Sequence, residues 1–189
     1  MKKFETIEHN IFHFDEVTST MDVARNLCEK ENECVVVANK QTHGRGRHGR
    51  KWISDEGGLW VSLVWRNVNE ELLRYLFIIA AQAVVDTLEQ WGISARIKLP
   101  NDVYVGRSKI GGILIENLKQ CVIIGIGINI NNTLDETMDD ATSCKKILGK
   151  NLEVESVLAY LLKNLQQARK EFELNAEGFL SKVKGYLIK

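Results

Sequence analysis

The chain has 189 residues, 44% of them hydrophobic, which suits one domain whose core needs neither disulfides nor metal to hold it. Its 25 basic and 25 acidic residues cancel, which argues against a protein that coats nucleic acid or an anionic membrane, and makes any local basic cluster read as a site. No apolar run approaches the ~20 residues of a membrane span. Met1-Lys2-Lys3-Phe4-Glu5 leads into acidic and polar residues rather than an apolar signal core, and Cys28, Cys34, Cys121 and Cys144 are widely spaced with no Cys-x-x-Cys pair. These features predict a cytoplasmic protein whose cysteines are small core residues in a reducing compartment.

Residues 11–17 read as a short strand that leads to Thr18-Ser19-Thr20. Either of the last two hydroxyls can cap the following helix, whose apolar positions are Met21, Ala24, Leu27 and Cys28, and a helix N-terminus also presents hydroxyls and N–H groups well to a polar ligand. Val35-Val36-Val37-Ala38 is β-branched and continuous, as a strand buried on both faces would be. It delivers the chain into Gln41-Thr42-His43-Gly44-Arg45-Gly46-Arg47-His48-Gly49-Arg50-Lys51-Trp52, which has no periodicity that could bury a face.

Glycines at alternate positions in that loop let N–H groups converge on an anion, while the intervening guanidinium groups can fork onto phosphate or carboxylate oxygens. The loop lacks the Lys-Ser/Thr end of a Walker A motif and the strand-loop-helix setting of a dinucleotide fingerprint. Alone it is compatible with a solvated turn, a nucleic-acid arm or a small-molecule phosphate site. Its like charges and lack of an anchoring apolar side chain at 43–51 predict a segment that is mobile without ligand and ordered by it.

A turn at Asp55-Glu56-Gly57-Gly58 precedes a strand over 59–65, and 70–91 is the clearest helix, stopped by Gly92. A strand begins at Ala95-Arg96-Ile97-Lys98, meets the only proline, Pro100, and continues to Val105. Gly106-Arg107 suits a two-residue type II′ turn into a returning strand over 108–116. That register pairs Val105 with Ser108, Tyr104 with Lys109 and Asp102 with Gly111, so Asp102, Tyr104, Lys109 and Gly111 share one face. Gly111-Gly112 within a strand marks either a bulge or a close approach by a ligand or another backbone.

Residues 121–130 form a very apolar strand with glycines at 125 and 127, ending at Asn129, a polar residue that must be hydrogen-bonded if buried, as a bracket or a ligand contact. Residues 131–145 are acidic, hydroxyl-rich and aperiodic, and read as a mobile surface loop. A second long amphipathic helix starts at Val154, and 179–189 is a short helix or ordered tail. With no repeat and no linker, the chain reads as a single domain over 1–189.

Gly44-Arg45-Gly46-Arg47-His48-Gly49-Arg50 with Trp52, then Lys98-Leu99-Pro100-Asn101-Asp102, then Lys109-Ile110-Gly111-Gly112-Ile113-Leu114-Ile115-Glu116, then Gly125-Ile126-Gly127-Ile128-Asn129, together with Ser19-Thr20 and Gln41, resemble the biotin protein ligase family. The likeness runs from about residue 10 to residue 165, and several motifs in order are far more specific than one. It implies an α/β (α+β) fold: a mixed, largely antiparallel central sheet flanked by helices, as in the catalytic domains of class II aminoacyl-tRNA synthetases and biotin ligases. It also implies two half-reactions. ATP and biotin give biotinyl-5′-adenylate and pyrophosphate, and a lysine of a biotin carboxyl carrier domain then takes the biotinyl group. No enzyme nucleophile and no protein metal site are implied, and Mg²⁺ accompanies ATP, held largely by phosphates.

By position, the resemblance makes Ser19, Thr20 and Gln41 the polar partners of the biotin ureido ring, and Gly44, Arg45, Gly46 and Arg47 the segment that closes over biotin and phosphate, with Arg47 guarding the adenylate. Lys98 would contact the biotin carboxylate and α-phosphate, Asp102 and Lys109 would complete the charged face, and Gly111 and Gly112 would leave room for ligand. Trp52 would pack beside the adenine, and Arg50, Asn101 and Asn129 would contact the nucleotide. Met21 stands where the family commonly has Asn, and Leu99 where Trp is usual. No DNA-binding helix-turn-helix is expected before residue 10, and the family's small C-terminal β-domain is expected to be absent or vestigial. The resemblance implies no DNA and no membrane as partners and leaves a homodimer open. The competing readings are a lipoate-type ligase, which would need a longer apolar slot, and a nucleic-acid module built on the arginine loop.

Overall fold

Apolar runs that alternate around a polar or glycine position build a sheet with two different faces, and that asymmetry positions everything else. The computed structural model describes residues 2–5, 10–30, 33–134 and 140–188. Eight strands, β1 (Lys2–Glu5), β2 (Asn10–Val17), β3 (Cys34–Gln41), β4 (Leu59–Trp65), β5 (Arg96–Lys98), β6 (Asp102–Val105), β7 (Ser108–Asn117) and β8 (Val122–Ile128), form one sheet in the order β1-β2-β3-β4-β8-β7-β6-β5. Only the β2–β3 pair runs parallel, and the other pairs are antiparallel. A parallel pair needs a crossover, and α1 (Thr20–Leu27) supplies it. The expected mixed, largely antiparallel sheet flanked by helices is what the chain forms; β1, which had no distinct signal, is an addition.

Along β4, Leu59, Val61, Leu63 and Trp65 join the large core under α2 (Glu70–Glu89) and α4 (Val154–Leu174), while Val64 joins Met21, Ala24 and Cys28 of α1 on the opposite face. The period of two that divides β4 in this way is the pleat itself. Asn69 caps α2 through the amide of Leu72, and Gly92 follows the helix with φ 72°, a left-handed conformation that glycine takes without penalty. The final helix, α5 (Ala176–Lys184), packs on α4. No helix among the described residues is long and apolar enough to cross a membrane.

Three expectations change. Gly106 turns the β6–β7 hairpin with φ 59°, and Val105–Ser108 and Tyr104–Lys109 pair as expected, but the register then shifts, so Val103 pairs with Gly111 and Asp102 with Gly112. The cause lies outside the hairpin: the Asn129 amide, beyond β8, donates to the Ile110 carbonyl and takes that residue out of the β6 ladder. Secondly, the stretch after 130 is not a loose surface loop where it is described. Asn132, Thr142 and Ser143 are buried, Ser143 caps the short helix α3 (Cys144–Leu148), and residues 135–139 lie outside the described residues.

Thirdly, the cysteines are not all free: Cys28 and Cys121, 93 positions apart, form a disulfide, because the last turn of α1 lies over the start of β8. Cys34 and Cys144 are free and buried, and burial pushes the Cys144 thiol up to about 12. A thiol titration with a chromogenic disulfide should therefore find no fast-reacting group in the native protein, two in denaturant and four after reduction. Reduction should lower unfolding stability by ~2–4 kcal/mol; four reactive thiols in unreduced, denatured protein would show that the bond does not form.

Candidate active site

The site starts from Gln41, the last residue of β3. Its backbone N–H donates to the Ser54 carbonyl at 2.9 Å, which draws together the two ends of the glycine-arginine loop. Its side-chain Oε1 accepts from the Thr20 amide at 2.8 Å and from Thr20 Oγ1 at 3.1 Å, and its Nε2 donates to Ser54 Oγ at 2.8 Å. Ser62 Oγ, on β4, donates to Thr20 Oγ1 at 2.8 Å, and Ser54 Oγ donates to the Trp52 carbonyl at 3.1 Å. One chain of hydrogen bonds thus links the sheet, the start of α1 and the loop. Ser19 caps α1 by accepting from the Met21 amide at 3.3 Å.

Of these residues Ser19, Thr20, Gln41 and Trp52 line a cavity of about 380 Å³. Its floor is sheet backbone. A Cβ at Gly127 would come within 2.7 Å of Trp52 Nε1, one at Gly112 within 3.0 Å of the same ring, and one at Gly125 within 2.6 Å of Met21 Sδ. Gly112 and Gly127 are paired across β7 and β8, so the Trp52 indole lies directly on main chain. Its Nε1 is buried with no hydrogen-bond partner among the described residues, and its ring meets Trp60 edge-on at 6.4 Å between centroids.

The roof is the loop. The Gly46 amide donates to the Arg50 carbonyl at 2.7 Å, Arg45 and Lys51 form a backbone bridge, and residues 47–49 make one 3-10 turn in which His48 takes φ 57°. Arg45 Nη1 is 2.6 Å from Asp22 Oδ1, and Arg47 Nη1 donates to Asn101 Oδ1 at 3.4 Å. Opposite Gln41, Lys109 Nζ lies 2.6 Å from Asp102 Oδ1 and 4.9 Å from the centre of the Trp52 ring.

Behind Trp52 is a second cavity of about 260 Å³, lined by Asn129, Asn132, Thr133 and Asp140. Lys51, Trp52 and Lys109 line both cavities and so stand at their junction. Asn129 brackets that second space: its Nδ2 donates to the Thr142 carbonyl at 3.0 Å and its Oδ1 accepts from Asn132 Nδ2 at 3.1 Å.

Of the residues singled out by sequence, Ser19, Thr20, Gln41, Arg45, Gly46, Arg47, Arg50, Trp52, Asn101, Asp102, Lys109 and Gly112 line the first cavity, and Asn129 lines the second. Gly111 does not line the first; its missing Cβ would point at the Gly127 carbonyl and Ile128, because the bulge gives the open position to Gly112. Gly44 also stays out, and its bare Cα lets Ser54 Oγ and the Trp52 carbonyl approach. Lys98 is outside the first lining as well. It pairs with Asp102 across β5 and β6, with Nζ 4.7 Å from the Tyr104 ring centre. Sequence reading passed over Ser62 and Ser54, and noted Gly125 and Gly127 without giving them a role. A lone serine in the apolar run 59–65 was the available signal for the first.

Residues 11–129 match the biotin/lipoate A/B protein ligase family. This chain belongs to that family. It is 37% identical over 174 residues to the bifunctional ligase/repressor BirA of Bacillus subtilis, covering 85% of this chain and 54% of the relative. It is 34% identical over 116 residues to the biotin–(acetyl-CoA-carboxylase) ligase of Mycobacterium tuberculosis, covering 58% of this chain and 44% of that one. The chain thus spans about half the length of these curated relatives. Among solved structures, the biotin protein ligase of Aquifex aeolicus in complex with biotin and ATP superposes with a TM-score of 0.86 at 34% identity, over 96% of this chain and 79% of that one.

The floor of this family member makes a direct prediction. Gly127→Ala would drive a Cβ into the Trp52 indole and lift the ring from the sheet. Iodide quenching of tryptophan fluorescence should rise while the secondary structure is kept; unchanged quenching would mean that the ring does not rest on Gly127.

Proposed function

We propose that the chain joins biotin to a lysine of a biotin carboxyl carrier domain at the expense of ATP. The observation that carries this reading is the pair of cavities meeting at Lys51, Trp52 and Lys109 under an arginine loop, an arrangement suited to bringing two anions together. In the first step the biotin carboxylate oxygen bonds to the α-phosphorus as the bond to pyrophosphate breaks. In the second the acceptor amine attacks the acyl carbon, loses a proton and releases AMP. Neither step needs an enzyme nucleophile; both need charge on the phosphoryl oxygens offset in a site that excludes water.

In this reading the Ser19, Thr20 and Gln41 end takes the polar ring of biotin. Gln41 fixes Thr20, and the Ser19 hydroxyl hydrogen is available to a ligand carbonyl. The second cavity takes the nucleotide, with Trp52 as its wall and Asn129 at its edge. Arg47 and Arg50 line the first cavity and Lys109 stands at the junction, where Asp102 keeps it when no phosphate is present. Lys98 leaves Tyr104 for the carboxylate and α-phosphate when both substrates are in place. Mg²⁺ would accompany ATP, held largely by its phosphates. The acceptor reading is supported by the relative named for acetyl-CoA-carboxylase. A lipoate-type substrate is disfavoured by a cavity that ends in hydroxyls and an amide.

The reading is tested by biotin-dependent exchange of pyrophosphate into ATP, with lipoate in parallel; exchange with lipoate and none with biotin would overturn it. Lys98→Ala should slow that exchange by ~10²-fold or more while the fold survives, since it removes a charge-assisted contact to the reacting groups. Arg47→Gly should still make the adenylate but hold it loosely, so that biotin appears on a bystander protein without a carrier sequence. Equal bystander labelling by wild type and variant, at equal adenylate output, would show that Arg47 does not guard the intermediate.

A further inference from the structure

Arg45, which lines the first cavity, belongs to a charge chain whose other members, Asp22, Glu116 and Arg25, lie outside that lining. Asp22, in the first turn of α1, lies 2.6 Å from Arg45 Nη1; Glu116, near the end of β7, lies 3.6 Å from Arg45 Nη2 through Oε1 and 2.6 Å from Arg25 Nη2 through Oε2. Signs alternate along Asp22, Arg45, Glu116 and Arg25. Glu116 is the least exposed of the four at 21% of its side chain, and it is the one that touches both arginines. It pairs with Ile123 of β8, a buried residue of the α1-side core, so it stands on the same sheet face as α1.

We propose that Glu116 is a positioning residue for the loop. It fixes the Arg45 guanidinium against α1, and through Arg45 it sets where Gly46, Arg47 and Arg50 lie over the cavity. The Gly46–Arg50 hydrogen bond and the Arg45–Lys51 bridge close the loop on itself, so that the position of Arg45 bears on that of its neighbours. The loop's inner side-chain tie is the one hydrogen bond from Arg47 to Asn101 at 3.4 Å, whereas the outer tie joins Arg45 to two carboxylates, Asp22 at 2.6 Å and Glu116 at 3.6 Å. With two carboxylates beside it, the charge of Arg45 is already balanced, which leaves Arg47 and Arg50 for incoming anions. This role rests on the ligase reading for its effect on biotin, but the anchoring itself does not.

Two measurements test it, on the full chain carrying Glu116→Gln, Arg45→Gln and both. In ligand-free protein, amide hydrogen exchange at Gly44 to Arg50 should quicken by about 5-fold or more in Glu116→Gln at an unchanged melting temperature. In biotin-dependent pyrophosphate exchange, Glu116→Gln should raise KM for biotin about 10-fold with kcat within about 3-fold, as expected for lost pre-organisation rather than lost chemistry. If Glu116 acts through Arg45, adding Glu116→Gln to Arg45→Gln should change neither readout further. Unchanged loop exchange in Glu116→Gln, or effects of the two substitutions that simply add, would overturn the proposal. A wild type inactive with biotin, alongside quickened loop exchange in the variant, would overturn the ligase reading and leave the anchor standing.

Discussion

The site depends on one side-chain amide. Gln41 presents a carbonyl to Thr20 and an N–H to Ser54, so both ends of the amide are committed, and its orientation is determined by its partners rather than by rotamer preference. Such a chain is stable only when every member is satisfied, since a buried polar group left unpaired costs about 1–3 kcal/mol. Ser62 completes it from the sheet side. The start of α1, the end of β3 and the exit of the loop are held in one frame, and the cavity inherits its shape from that frame.

A second constraint is absence. Gly112, Gly125 and Gly127 lie side by side on β7 and β8, and the missing Cβ atoms let Met21 and Trp52 rest on the backbone. A strand interior gains nothing from glycine by itself, because it loses packing and conformational entropy. The compensation is a flat floor with an aromatic wall. That wall divides the space in two, one side ending in hydroxyls and the other in the Asn129–Asn132 bracket.

Charge is distributed with the same economy. Of the cationic groups around the loop, Arg45 is matched to Asp22 and Glu116, and Lys109 to Asp102. A zero net charge therefore coexists with a locally positive junction. Partly exposed pairs of this kind contribute little to stability, and what they do is hold the side chains in place.

The order of strands and helices, the identity of the loop and most residues of the cavity are legible in the sequence, because they follow from local periodicity and from motifs a few residues long. An apolar run after a Gly-Gly turn marked β4, the 3.6-residue repeat marked α2 and α4, and the Gly/Arg tract marked the roof. What stayed out of reach depends on residues distant along the chain. The β6–β7 turn predicts Gly111 opposite Asp102, yet the Asn129 amide takes the Ile110 carbonyl and Asp102 pairs with Gly112. Cys28 and Cys121 carry no spacing signal, since only the packing of α1 over β8 brings them together. Ser62 reads as a stray polar residue until Thr20 is seen beside it, and nothing local to Glu116 shows the two arginines that meet it. Local chemistry determined which residues could serve a site; only tertiary packing, which joins partners separated by tens of residues, decided which of them line the cavities.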